Sequence, residues 1–165
     1  GLAFLYSAVG DSVLIKLARQ YYRLNAGVFQ CSFAEHEKQV NAWLECLRST
    51  YPNTLPDGER ADYDAMKELD RALFRIFRGL ASVPDKDYPP PQFFCDYRSL
   101  AARSGGKLGT VYYRTQRFDI YGCLSIVDRG SCTQRDPSGE IRSGRSSVFE
   151  WHWSLLPPDW CGRSV

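Results

Sequence analysis

Glu150 and His152, two residues apart in Val148-Phe149-Glu150-Trp151-His152-Trp153, are the residue types best suited to proton chemistry in this chain. Read as a strand, the segment puts Phe149, Trp151 and Trp153 on one face and Glu150 and His152 on the other, because side chains alternate across a pleat. Same-face neighbours on a strand lie about 7 Å apart, so a carboxylate there can bias an imidazole toward its charged form. Under a pocket, such a pair could serve a small hydrolase or transferase as general base and orienter. No Ser, Cys or Asp motif beside it completes a nucleophilic arrangement, and Cys132 or Cys161 would reach His152 only through the fold. The same pattern describes the solvent side of an ordinary half-buried strand, which is the expectation here.

Basic residues supply a second kind of chemistry. Arg71, Arg75 and Arg78 recur at helical spacing, opposite the apolar residues of their segment, where they could meet phosphate or an acidic protein. Basic side chains near a helix C-terminus also complement its dipole, and that plainer role is the favoured one. Arg98, Arg103, Lys107, Arg114 and Arg117 form a second cluster, interleaved with Tyr112 and Tyr113, a mixture used to hold single-stranded nucleic acid. The loop Arg142-Ser143-Gly144-Arg145-Ser146-Ser147 is basic and polar, as solvated turns are.

Metal and redox chemistry find little footing. The six cysteines (Cys31, Cys46, Cys95, Cys123, Cys132, Cys161) include no Cys-x-x-Cys pair, and neither His36 nor His152 stands at zinc-ligand spacing from one of them. His36 lies between Glu35 and Glu37, but adjacent helical residues do not converge on an ion, so a solvated surface is expected. A hairpin closed by Asp128-Arg129-Gly130-Ser131 would set Val127 opposite Cys132 and leave Cys123 out of register for a disulfide with it. Reduced, mostly buried thiols are therefore expected, and with them a reducing intracellular compartment. No metal and no cofactor is implied.

The elements that would position these groups follow from periodicity. With 165 residues, 44% hydrophobic and 24% charged, the chain has the size and composition of one folded domain. A formal charge of +2 predicts neither a nucleic-acid nor a membrane partner, and the apolar opening Gly1 to Val9 is too short to span a bilayer. Asp11 can cap a helix whose apolar face is Val13, Leu14, Leu17, Ala18 and Tyr21, ended by Asn25-Ala26-Gly27 with Gly27 as a left-handed cap. Ser32 and Glu35 spell a capping box for a second helix with Val40, Trp43, Leu44 and Leu47 inward, stopped at Tyr51-Pro52-Asn53. Met66, Leu69, Leu73, Ile76, Phe77 and Leu80 mark a third helix, after Pro56-Asp57.

From Ser82 the texture changes. Prolines 84 and 89–91 exclude helix and read as a linker over 82–91. Beyond it, Gln92 to Tyr97 reads as a strand and Ser99 to Arg103 as a short helix or loop. Thr110-Val111-Tyr112-Tyr113 opens a β-rich run through Phe118, Ile120, Tyr121, Leu124, Ile126 and Val127, and Val148 to Leu155 is the last strand. The expected fold is α+β: about three N-terminal helices (1–81) on one face of a C-terminal antiparallel sheet of four to five strands (92–165).

One short motif adds a resemblance. Gly10-Asp11-Ser12-Val13-Leu14, leading into an amphipathic helix, resembles the Gly-Asp-Ser/Ala-Val-Leu core of the ribonuclease III signature. In that family an acid four positions before the Asp helps bind the catalytic metal, and Ser7 stands there in this chain. The later acidic motif of the family is not recognisable. The resemblance covers five residues and implies an inactive, RNA-binding relative with an all-helical fold, which the β-rich second half does not suit; no family is assigned on it.

Three functions are carried forward. The first is a non-catalytic protein-binding domain, of inhibitor or immunity type or a subunit of a larger assembly, with Trp151, Trp153, Tyr112 and Tyr113 as anchors, since buried aromatics carry much interface energy. The second is an RNA- or nucleic-acid-binding domain using Arg71, Arg75, Arg78, Arg114 and Arg117. The third is a hydrolase or transferase built on His152 and Glu150. A partner protein is expected, nucleic acid is the alternative, and a membrane is not expected.

Overall fold

The structure, a computed structural model, describes residues 2–130, 134–135, 137–142 and 146–160. Helices dominate the first two thirds: α1 (Leu2–Tyr6), α2 (Asp11–Leu24), α3 (Phe33–Thr50), α4 (Asp57–Ala65) and α5 (Glu68–Ser82). Strand β1 (Gln92–Cys95) is followed by two more helices, α6 (Tyr97–Ser104) and α7 (Leu108–Arg117), and then by β2 (Leu124–Asp128). The two-residue strands β3 (Gln134–Arg135) and β4 (Ile141–Arg142) pair with each other, and β5 (Ser147–Trp151) comes last.

The expected architecture needs correcting. Among the described residues there are seven α-helices, and the sheet has three antiparallel strands in the order β1-β5-β2, not four to five. The fold is still a mixture of helices and antiparallel sheet, but not three helices laid on one large sheet. The main cause is α7. Thr110-Val111-Tyr112-Tyr113 carries strand-forming residues, yet Val111, Thr115 and Phe118 fall at helical spacing and all three are buried. Burial of that stripe outweighs β propensity, which is a weak, context-dependent preference.

Local signals act as expected where they involve near neighbours. The Ser32 hydroxyl accepts from Glu35 N at 3.2 Å, and Ser32 N donates to Glu35 Oε2 at 2.8 Å, completing the capping box of α3. Those hydrogen bonds hold the Glu35 carboxyl below its usual pKa. The helix ends at Thr50 and a 3-10 turn, Tyr51–Thr54, follows. At α2 the expectation fails in two details. Gly10 is the cap residue and Asp11 is already helical, its side chain directed elsewhere; Asn25, not Gly27, ends the helix, and Gly27 has no positive φ. Gly10 has a different duty: a Cβ there would lie 2.5 Å from Ser104 O, and Gly10 N donates to Arg103 O at 2.7 Å. The start of α2 is thereby locked to the end of α6.

The stretch after Pro56, expected as one helix, is two, because Met66 is extended (φ −70°, ψ 149°) between α4 and α5. α5 is the central element. Leu73, Phe74, Ile76 and Phe77 are fully buried, and Phe77 packs against Phe93, Phe118 and Phe149. The inner sheet face supplies Phe93, Phe149, Trp151 and Leu124 to that core. The linker segment is exposed from Pro84 to Lys86, and Asp85 accepts from Asp87 N and Tyr88 N. Ser131 and Cys132 of the expected hairpin, residues 143–145 of the basic loop and Cys161 lie outside the described residues. No described helix is long and apolar enough to cross a membrane.

Candidate functional site

The outer face of the sheet is where the expected acid–imidazole pair lies. β5 ends at Trp151, but His152 N still donates to Cys123 O at 2.8 Å, so the chain stays in register one residue longer. Gln92 of β1, Glu150 of β5 and Ser125 of β2 form one cross-strand row. Gln92 Nε2 donates to Glu150 Oε2 at 3.1 Å, Glu150 Oε1 lies 3.8 Å from His152 Nδ1, and His152 Nε2 is 2.5 Å from Ser125 Oγ. A hydroxyl, an imidazole and a carboxylate are thus aligned in the order used for nucleophile activation. Ser125 was not singled out from sequence. It is 27 residues from His152, and only the strand order β1-β5-β2 brings them together. The side chains of His152 and Glu150 are 40% and 35% exposed, and neither of the two clefts described below is lined by Ser125, Glu150 or His152.

The arginine stripe has a different fate from either expectation. Arg75 and Arg78 are 3% and 0% exposed, because α5 is covered on the side that helical periodicity marked as solvent-facing. Arg78 donates to Ser154 O, Ser154 Oγ, Leu155 O, Thr54 Oγ1 and Thr54 O over 2.7–3.1 Å. It ties the segment after β5 to the 3-10 turn before α4. Glu59 of α4 completes the knot, accepting from Ser154 N at 2.9 Å and from Ser154 Oγ at 2.5 Å. Arg71 binds Tyr63 O and Asp64 O at the end of α4. Arg114 is bidentate on buried Asp70. Of the five arginines proposed for nucleic acid, Arg117 alone makes no such internal contact among the described residues.

The Asp of the Gly-Asp-Ser-Val-Leu motif is likewise committed. Asp11 Oδ1 accepts from Arg75 Nη2 and Asp11 Oδ2 from Arg48 Nε, both at 2.8 Å. Arg75 also donates to Tyr6 O and lies 4.0 Å over the Tyr6 ring, while burial pushes the Tyr6 phenol well above its ordinary pKa. Ser7, at the position where the resemblance implies an acid, is buried and bonds to Phe4 O. Two guanidinium groups therefore neutralise the one carboxylate present. Among the described residues no group of three His, Cys, Asp or Glu side chains is arranged to hold a metal ion.

The aromatic anchors divide. Trp151 is 1% exposed and packs on Phe74; it belongs to the core. Trp153 is half-buried against Phe74 and Trp151. Tyr112 and Tyr113 are exposed on α7, Tyr112 with its ring against Tyr97. His36, expected on a solvated surface, is half-buried between the Tyr22 and Phe29 rings, with Nε2 3.3 Å from Ala18 O. A larger apolar surface lies on α2, where Leu14 alone of the expected stripe is buried; Leu17, Tyr21 and Leu24 at i, i+4 and i+7 are 41%, 61% and 77% exposed, and Val28 in the following turn 81%. The signal was in the sequence as amphipathicity, which does not say whether an apolar face meets its own chain or another's.

Two clefts complete the picture. One, of about 350 Å³, lies between the α4–α5 elbow (Met66, Lys67) and α7 with the turn after it (Arg114, Arg117, Phe118, Tyr121). The other, of about 230 Å³, lies beside β1, among Leu80, Phe94, Cys95 and Arg103. Comparison of this chain with protein-family models, with curated proteins and with solved structures finds no match.

Proposed function

We propose that this chain is a non-catalytic protein-binding domain, of inhibitor or immunity type or a subunit of a larger assembly. The observation that carries the reading is the uncovered apolar face of α2, Leu17, Tyr21 and Leu24, prolonged by Val28. Large apolar side chains left in water at one helical spacing mark an interaction surface more often than chance, and burying them drives association. Lys16 and Arg23 flank the stripe without an ion pair among the described residues, so an apolar partner surface with an acidic rim complements it. Tyr112 and Tyr113 on α7 offer a second exposed aromatic site. Affinity capture from the native extract tests the reading: wild type should retain one stoichiometric protein through high salt, and Leu24→Glu should lose it without losing fold. Equal capture by both would refute it.

A second reading is favoured by one specific distance, the 2.5 Å between Ser125 Oγ and His152 Nε2, with Glu150 behind the imidazole. It assigns a hydrolase or transferase acting through Ser125. Its substrate would have to be large enough to bring its own shielding from water, because the three side chains lie on an open sheet face.

A further inference from the structure

We infer that the cleft between the α4–α5 elbow and α7 takes an acidic peptide segment bearing an apolar side chain, supplied by the partner protein; the inference rests on the protein-binding reading. α7 and the turn after it turn one face to the cleft, with Arg114, Arg117, Phe118 and Tyr121 at i, i+3, i+4 and i+7. Across from them stand Met66, Lys67 and Asp70.

The charge in this cleft is unbalanced. Asp70 is spent on Arg114, which grips both its oxygens. Lys67 and Arg117 line the same space and form no ion pair among the described residues. Among the described side chains of this cleft, three cations stand against one carboxylate, a surplus that an acidic ligand would neutralise. Lys67 also precedes α5, whose first backbone N–H groups receive no side-chain cap, so a carboxylate here gains from the positive end of a 15-residue helix.

The apolar half of the ligand follows from the floor and rim. Met66 and Phe118 are buried beneath the cleft, while Ile120 at its edge is 75% exposed, the kind of side chain a partner's Leu or Ile would cover. A phosphate backbone has no use for that rim, and two cations without an ion pair among the described residues are few for a nucleic-acid footprint, which neutralises one phosphate per contact. Tyr113, one turn before Arg117 and 62% exposed, extends the surface along α7.

The test uses the whole chain and fluorescence anisotropy with three labelled probes: a peptide alternating Glu and Leu, a peptide alternating Lys and Leu, and a single-stranded oligonucleotide. The Glu/Leu peptide should bind and the Lys/Leu peptide should not. Lys67→Glu with Arg117→Glu should weaken it by about tenfold or more, Ile120→Asp should weaken it comparably, and Arg117→Lys alone should keep most of the wild-type affinity. Lys86→Glu, in the exposed segment before β1, should leave affinity unchanged, and melting curves should show every variant folded. No binding of the Glu/Leu peptide, equal binding by the charge-reversed variant, or tighter binding of the oligonucleotide would each overturn the inference. Loss of partner capture by Leu24→Glu tests the protein-binding reading separately, since Leu24 does not line this cleft.

Discussion

Arg75 Nη2 and Asp11 Oδ1 meet at 2.8 Å across 64 residues of sequence, joining the centre of α5 to the first residue of α2. Their side chains are 4% and 10% exposed, so this pair is shielded from solvent as Arg48, at 42%, is not. Removing one partner of a buried pair leaves the other's charge unsolvated. Arg75→Met should therefore cost about 3–5 kcal/mol in urea unfolding, while Arg48→Ala should cost no more than about 1 kcal/mol, as exposed pairs do. Similar costs for the two would mean that Asp11 is held by exposed charge and not by burial.

Cysteine reactivity separates the buried thiols from the exposed ones. Burial pushes the Cys95 thiol up to about 11, and Cys123 is fully buried, whereas Cys46 is exposed. In the native protein at pH 8, iodoacetamide followed by peptide mapping should modify Cys46 early and Cys95 and Cys123 only with unfolding. A raised folded-state pKa also sets a sign. Folded Cys95 keeps a proton that the unfolded thiol releases above about pH 8.5, so its contribution to stability is complete below that pH. It is lost as pH rises toward 11. Cys95→Val should flatten that part of the stability–pH curve; an unchanged slope would contradict the assignment.

Ser125 and His152 discriminate the catalytic reading from the binding one. A non-catalytic domain should leave Ser125 unmodified by a fluorophosphonate probe, and His152→Ala, at a half-exposed site, should change stability by less than about 0.5 kcal/mol. Labelling of Ser125 that His152→Ala abolishes would instead put the hydrolase first.

What could be read from the sequence was what neighbours in sequence decide. The Ser32–Glu35 box needs only three residues of chain, and the inward set Leu73, Ile76 and Phe77 needs only helical period; both are in place. The strand expected over Val148–Leu155 needed only alternation, and Phe149 and Trp151 do face the core, although β5 runs only over Ser147–Trp151. Arg75 and Arg78 were misplaced because periodicity assigns one dry face to a helix, and α5 is covered on more than one. Their true partners, Asp11, Thr54 and Ser154, are far away in sequence and carry no local mark. The same distance hid Ser125 from His152. α7 was lost to its β-branched and aromatic residues, although the Val111–Thr115–Phe118 spacing was there to be counted.

The most direct measurement of the central claim is photo-crosslinking in the native setting, with p-benzoylphenylalanine in place of Tyr21 on the exposed face of α2, and in place of Lys86 as the control. A protein-binding α2 face gives one adduct of defined mass from position 21 and none from position 86. No adduct from position 21, or the same smear from both positions, would contradict it.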